Sequence, residues 1–479
     1  MLLRPSLLAL AAAALLSACA VGPDYVRPTL DVPPAYKETV PWKPADPRAA
    51  VSGLAWWQAY GDPVLAQLEA DAGAANQNIR QAEATYRQAK AIVDEDRAGL
   101  FPSLSLNAGG DRARSNASGS IHTNNGFNLN LAASWEPDLW GGVRRQIESG
   151  EASAQASADD LAAARLSIQT TLAQDYLQVR VADQQRDLYD VTIQAYTKAL
   201  QLTRAQHAAG VALQSDVSLA EAQLAQAQAA AVDLEATRAQ LEHAIAVLTG
   251  RAPAQFALAR LPAAPQLSLA MPVTPAGLPS ELLEHRPDIA AAERRAAAAN
   301  ALIGVAKAAY FPQFTLSATG GYTAAALGSL FDTPSRVWSL GAALAQTLFD
   351  GGLRSARTAQ AVAGYDIAVA QYKQTVLGGL QQVEDQLAAL RLLDQEAMLQ
   401  DAAVRASQQA QQSTLAQYRA GTVSYLNVVT TQTTLLNNQR SAVQLRGRLL
   451  AASISLVAAT GGGWSARDPL AAATPAQPQ

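Results

Sequence analysis

The chain has 479 residues, and its 36 Lys and Arg against 40 Asp and Glu give a formal charge of −4. No basic field marks a nucleic-acid partner, and the charged residues form none of the blocks that make acidic or basic tails. A single cysteine rules out an internal disulfide, and the length suits several small domains or one elongated one.

The chain opens with "MLLRPSLLALAAAALLSAC". One Arg precedes an apolar run too short to span a bilayer comfortably, and small residues precede Cys19. "LSAC" fits a bacterial lipobox. Residues 1–18 then read as a lipoprotein signal peptide, and Cys19 as the lipidated first residue of the mature protein. Each buried CH₂ of such a lipid contributes about 0.8 kcal/mol, so several acyl chains hold the N-terminus at a membrane. Ala20, rather than Asp, follows the Cys, which favours outer-membrane sorting. Residues 19–61 read as an extended connector, because Pro23, Pro28, Pro33, Pro34, Pro41, Pro44 and Pro47 deny helix and central strand.

A helix is expected over about 63–98, with Leu65, Leu68, Ala72 and Ile79 among polar residues. Phe101-Pro102 stops it. "SLSLNAGG" (103–110) and "FNLNLAASW" (127–135) alternate with period two, and a Gly/Ser/Asn-rich stretch between them reads as a long polar loop. "LWGGVRR" (139–145) leads into a rod over 143–208 without proline. Leu161, Ile168, Leu172 and Val179 form its seam, and about 65 residues at 1.5 Å each make a rod near 100 Å. A break near Gly210 precedes a return helix to Gly250, with Leu234, Leu241, Ile245 and Leu248 on one stripe. The helix before the hairpin and the return helix, stacked end to end, match the rod in length. Residues 251–279, with six prolines, read as a linker.

The pattern then repeats. Phe311-Pro312 echoes Phe101-Pro102, and Gly351-Gly352 in "LFDGGLR" echoes Gly141-Gly142. Ile289, Ala292 and Glu293 echo Ile79, Ala82 and Glu83, and Gly421 echoes Gly210. "FTLSATGGY" (314–322) and "VWSLGAALAQTL" (337–348) are the second pair of strands, followed by a rod at 353–419, a turn at 420–424 and a return helix to about 459. The chain is thus a tandem duplication, residues 62–250 and 280–461, with a loose tail at 462–479. Its period is far above the roughly 20–50 residues of a solenoid unit.

Four strands of the roughly 9–11 residues that cross a bilayer, with Phe101, Trp135, Trp140, Phe311, Tyr322, Trp338 and Phe349 near their ends, suggest a membrane barrel with interfacial aromatic girdles. In lipid every backbone polar group must be paired, and four strands cannot close, because barrels begin at about eight. Two chains would give eight strands around a filled interior, and three would give twelve around a lumen. The fold class expected is mainly α with membrane β. Each Gly-Gly then marks a tight turn from strand to rod, where glycine permits unusual dihedrals.

"LSACAVGPDYVRP" (16–28), "WWQAYGDPVL" (56–65), "LWGG" (139–142), the run from "LPSELLEHRPDI" to Phe311-Pro312, "LFDGG" (348–352), "YRAGTVSYLNVV" (418–429) and "GGGW" (461–464) carry a resemblance. The chain resembles the outer membrane factor family of tripartite efflux pumps, in its lipoprotein branch of TolC-like channels. The likeness runs from Cys19 to Trp464. It implies a homotrimer with a shared twelve-strand outer-membrane barrel, four strands per chain, on a long periplasmic α-helical barrel. It also implies a passive duct for drugs or other small molecules. A periplasmic adaptor protein and an inner-membrane pump of RND type are the implied partners, together with outer-membrane lipid. No cofactor is implied beyond the lipid on Cys19.

The same resemblance places a periplasmic constriction on the second return helix. Its apolar ring position falls on Leu426, its two acidic positions fall on Asn427 and Thr430, and its helix-tying tyrosine falls on Tyr418. The absence of carboxylates at Asn427 and Thr430 removes the charge ring that would select cations and bind divalent blockers, though Asp216 and Glu221 belong to the same region. Packing between helices is the bland role for Tyr418, Arg419 and Leu426. The helix-tip turns fall at Gly210 and Gly421.

The sequence carries no G-x-S-x-G, P-loop or dinucleotide fingerprint. His122, His207, His243 and His285 lack metal-ligand spacing, so no catalytic or metal residue is assigned. The rival reading is a periplasmic coiled-coil adaptor or structural lipoprotein, which would share the lipobox and long helices. Two aromatic-flanked strand hairpins favour the channel.

Overall fold

The computed structural model describes residues 20–38, 55–117, 120–260 and 285–464. Cys19, the signal peptide, most of the 251–279 linker and all but the first residues of the tail lie outside the described residues. The elements in chain order are α1 (Pro63–Ala75), α2 (Gln77–Ala98), β1 (Ser103–Ala117), β2 (Ser120–Trp135), α3 (Gly142–Ala208) and α4 (Gln214–Leu248). The second copy gives α5 (Pro287–Ala308), β3 (Gln313–Ala324), β4 (Arg336–Ala345), α6 (Leu353–Arg419) and α7 (Tyr425–Ala459). The two rods, α3 and α6, are each 67 residues long, and the two return helices, α4 and α7, are each 35. By contacts the chain divides into two units: one holds Ala84–Ala158 and Ala291–Gln374 with the N-terminal strap to Leu30, and the other holds the remainder.

In the first unit the strands form one antiparallel sheet in the order β1-β2-β3-β4. The expected polar loop is strand instead: the register set at Ser103↔Ser134 continues without a slip to Ala117↔Ser120. Period-two alternation fades there because polar residues occupy both faces, yet the backbone ladder does not depend on side-chain polarity. β4, expected to reach residue 348, stops at Ala345. At the foot of the sheet the Trp140 ring stacks on Phe311 with centroids 4.9 Å apart, and its Nε1 donates to the Pro312 carbonyl at 2.6 Å. Asp138 caps α3 by accepting from the Val143 and Arg144 amides, and Asp350 accepts in the same way from Gly352 and Arg354 ahead of α6.

The expectation of unusual dihedrals in the Gly-Gly pairs holds at Gly141 (φ 78), Gly351 (φ 62) and Gly352 (φ 93) but not at Gly142. Gly142 opens α3, and a Cβ there would make a tight 3.2 Å contact with the Ala308 Cβ. The proline-rich strap is tied down in this unit: the Val21 amide donates to the Trp140 carbonyl, Arg145 binds Asp24 at 2.8 Å, and Tyr25 Oη donates to Glu293.

In the second unit Trp56, Tyr60, Leu65, Leu68, Leu172, Tyr176, Ile245 and Ile454 build the main core. Fully burying each such aliphatic side chain contributes about 1.5–3 kcal/mol. Asp62 caps α1 through the Val64 and Leu65 amides and accepts from Tyr176 Oη at 2.6 Å. Part of the expected linker joins this core, because Leu258 is buried and its amide donates to Glu242. The single helix expected over 63–98 breaks at Asn76. That side chain accepts from the Asn78 and Ile79 amides, capping α2, and donates to the Leu248 carbonyl at 2.8 Å, the end of α4. The end-to-end junction of return helix and leading helix thus has a residue dedicated to it. In the second copy Arg286 serves the same joint, donating to the Ala459 carbonyl at the end of α7 while gripping Asp288 and Gln382.

Candidate functional site

Two regions carry the chemistry, and the first is the sheet. The register sorts its side chains by face, since alternate residues point to opposite sides. The rows Leu104↔Ala133↔Ala318↔Leu340 and Leu106↔Leu131↔Gly320↔Trp338 lie on one face. Ser105↔Ala132↔Thr319↔Ser339 and Asn107↔Asn130↔Gly321↔Val337 lie on the other. The apolar face is bare: Trp338 is 78% exposed, Leu340 76%, Leu106 69% and Leu104 66%. A contiguous apolar surface of this kind marks a contact with lipid or another protein. The opposite face offers hydroxyls and amides without a formal charge on these rows. β1 and β4 each have a neighbour on one side only, so both sheet edges keep unpaired backbone groups.

The second region is the pair of helix turns. Gly210 (φ 77) and Gly421 (φ 74) occupy the left-handed conformation after α3 and α6. The Val211 amide closes on the Gln206 carbonyl, and the Thr422 amide on the Gln417 carbonyl, at 2.8 and 3.0 Å. This is the six-to-one bond of a helix C-cap, for which glycine is the natural residue. Between the turns Leu200, Val217, Ala220, Tyr418, Tyr425 and Val428 form a small core. The Tyr418 and Tyr425 rings are 5.5 Å apart, and Tyr418 Oη donates to Gln206 Oε1 at 2.5 Å, tying copy two to copy one. Burial, reinforced by Tyr418, Tyr196 and Asp216, pushes the Tyr425 phenol up to about 12.

Leu426, Asn427 and Thr430 come together on one exposed face of α7, and Leu426 is 57% exposed. Thr430 Oγ1 donates back to the Leu426 carbonyl, and none of the three side chains brings a formal charge to the face. Asp216 is occupied with the Leu213 amide and Glu221 with Arg204 at 2.6 Å, and Arg419 is exposed beside the turn. Among the described residues no group of three or more His, Cys, Asp or Glu is arranged to hold a metal. Sequence reasoning missed Gln206, Asn76 and Arg286. Asn76 and Arg286 stand 210 positions apart, the offset of the repeat, but their unlike side chains hid the shared role.

A family model described as outer membrane efflux protein matches the chain twice, over residues 69–251 and 278–462. The pyoverdine export outer membrane protein OpmQ of Pseudomonas aeruginosa is 34% identical over 418 residues, covering 85% of this chain and 87% of the relative. The toluene efflux pump outer membrane protein TtgC of Pseudomonas putida is 31% identical over 472 residues, 96% of each. Among solved structures the outer-membrane channel OprN superposes with a TM-score of 0.86 at 31% identity, covering 93% of this chain and all of that one.

Proposed function

Because the chain belongs to the outer membrane efflux protein family, we propose that three copies share one barrel and act as a passive, non-catalytic duct for drugs or other small molecules. Localisation in the outer membrane and a role in efflux come with the family. The observation that carries the finer reading is the sheet: one bare apolar face, one polar face and two unpaired edges. Lipid accepts the first, a water-filled lumen wets the second, and neighbouring copies pair the third. Three copies give twelve strands, wide enough for a lumen. A periplasmic adaptor or structural lipoprotein has no use for that apolar face.

The remaining assignments extend this reading. Cys19 carries the covalent lipid. Leu426 forms the apolar constriction, Asn427 and Thr430 leave it uncharged, and Tyr418 holds the helix pair closed. Gly210 and Gly421 turn the chain at the helix tips. A periplasmic adaptor and an inner-membrane pump of RND type complete the pathway and supply the energy. The named relatives export pyoverdine and toluene, which suits a duct whose lining makes few chemical demands on its cargo.

The mass of the detergent-extracted mature protein, with particle images of the same sample, tests the proposal. A threefold particle is expected, and palmitate label should be lost in Cys19→Ala. A water-soluble monomer after removal of the lipid would refute the shared barrel.

A further inference from the structure

The apolar face of the sheet ends abruptly, and it ends in arginine. Along β1 that face reads Leu104, Leu106, Ala108, Gly110, then Arg112 and Arg114. Along β4 it reads Leu344, Ala342, Leu340, Trp338, then Arg336. Both sequences run toward the same end of the sheet, where Phe127 pairs with Ala324, away from the Trp140–Phe311 foot. These three are the only Lys or Arg within residues 103–135 and 313–345, and all three take the lipid-facing parity. Arg112 and Arg336 lie one step past the apolar run of their own strands, and Arg114 lies two steps past. Asn125 and Thr123 stand opposite Arg112 and Arg114 on the same face.

All three arginines are exposed, and among the described residues none is held in an ion pair. Only two carboxylates occur in the same stretches, Asp111 and Asp332. Asp111 takes the opposite parity, toward the polar face, and Asp332 forms no ion pair with Arg336. Three unmatched guanidinium groups at the border of a lipid-facing band need anions at that depth, and the phosphates of lipid headgroups are the anions found there. A guanidinium fork matches two phosphate oxygens at once, which an ammonium does not.

We propose that Arg112, Arg114 and Arg336 form a binding site for the phosphate groups of lipids in the outer leaflet. The site rests on the barrel reading above, which also explains its distribution. β1 and β4 are the two sheet edges, so a shared barrel sets the strand that carries Arg336 of one copy next to the strand that carries Arg112 and Arg114 of the next. The full cluster therefore forms only at the junction between copies, where a bound phosphate also holds the copies together.

The test uses the intact oligomer in bilayers containing either a diphosphorylated glucosamine-based lipid or the same lipid with its phosphates removed. Native mass spectrometry counts the lipid retained after detergent transfer. The wild type is expected to keep the phosphorylated form in about tenfold excess over the dephosphorylated one. The triple substitution Arg112→Gln, Arg114→Gln and Arg336→Gln should lose that preference while its conductance stays unchanged, and the matching triple Lys variant should keep part of it. High salt should weaken retention in the wild type alone. A conducting wild type that retains both lipids equally, or a Gln variant that keeps the preference, overturns the site and leaves the barrel standing. A chain that neither assembles nor conducts overturns both.

Discussion

Replacing Tyr418 by Phe removes one hydroxyl and almost nothing else. The ring is 8% exposed and packs on Tyr425, while the hydroxyl donates to Gln206 Oε1 across two rods. A hydrogen bond of this kind contributes about 0.5–1.5 kcal/mol net. At 1.4 kcal/mol per factor of ten, its loss shifts the closed-to-open ratio about two- to tenfold per copy. If three copies open together, the contributions multiply to between about tenfold and a little over a thousandfold. Single-channel recording in planar bilayers reads this shift as open probability. A double-mutant cycle with Gln206→Leu separates the bond from the packing: the double variant should open no more readily than either single one. Strictly additive effects, or a lowered unfolding temperature with unchanged open probability, would refute a latch and leave Tyr418 as a packing residue.

Leu426→Ala should raise single-channel conductance, since the side chain is 57% exposed on the neutral face of α7; unchanged conductance would sink the constriction assignment. Divalent cations should block the channel weakly from the periplasmic side, because Asn427 and Thr430 offer no carboxylate there, and tight block would contradict that. Glu69 is 1% exposed, neither oxygen is hydrogen-bonded among the described residues, and burial pushes its pKa up to about 9. The folded state therefore keeps a proton that the unfolded state releases above about pH 4.3, so stability falls as pH rises between the two values. Glu69→Gln should accordingly change little at pH 5 but stabilise by a few kcal/mol at pH 8, and equal gains in thermal melts at both pH values would argue against a protonated carboxyl. Asn76→Ala removes a helix cap and the bond to the Leu248 carbonyl, and should cost about 1–3 kcal/mol; a melt indistinguishable from wild type would show that the joint does not depend on it.

The rods were legible to within a residue because their signals are local. Neither contains proline, and Gly210 and Gly421 end them with the one residue type suited to a left-handed cap. The strands were legible only where one face is apolar. From Asp111 to Asn125 both faces are polar, alternation vanishes, and a regular strand pair looks like a loop. The break at Asn76 was hidden for a different reason. Asparagine is tolerated within helices, and only in the structure does its side chain show itself as a cap on the Asn78 and Ile79 amides, tied to the distant Leu248 carbonyl. Of the expected connector over 19–61, described residues 20–38 form neither helix nor strand and Trp56–Tyr60 is a short 3-10 helix; the ties to Trp140, Arg145 and Glu293 span more than a hundred residues and leave no periodic trace. The constriction residues came from resemblance. The structure adds that Leu426, Asn427 and Thr430 share a face and that Tyr418 has a partner.

The open edges of β1 and β4 also govern how the protein can be made. A lone chain entering a bilayer would carry two rows of unsatisfied amides and carbonyls into hydrocarbon, each costing several kcal/mol. Entry one chain at a time is therefore opposed by the membrane itself, and insertion is coupled to association. The rate of channel formation should then rise more steeply than linearly with the supply of chains. Until partners arrive, the same edges are free to pair with any other exposed strand. Concentrating newly delivered chains at the membrane surface, as a lipid on Cys19 would do, shortens the interval in which that wrong pairing competes.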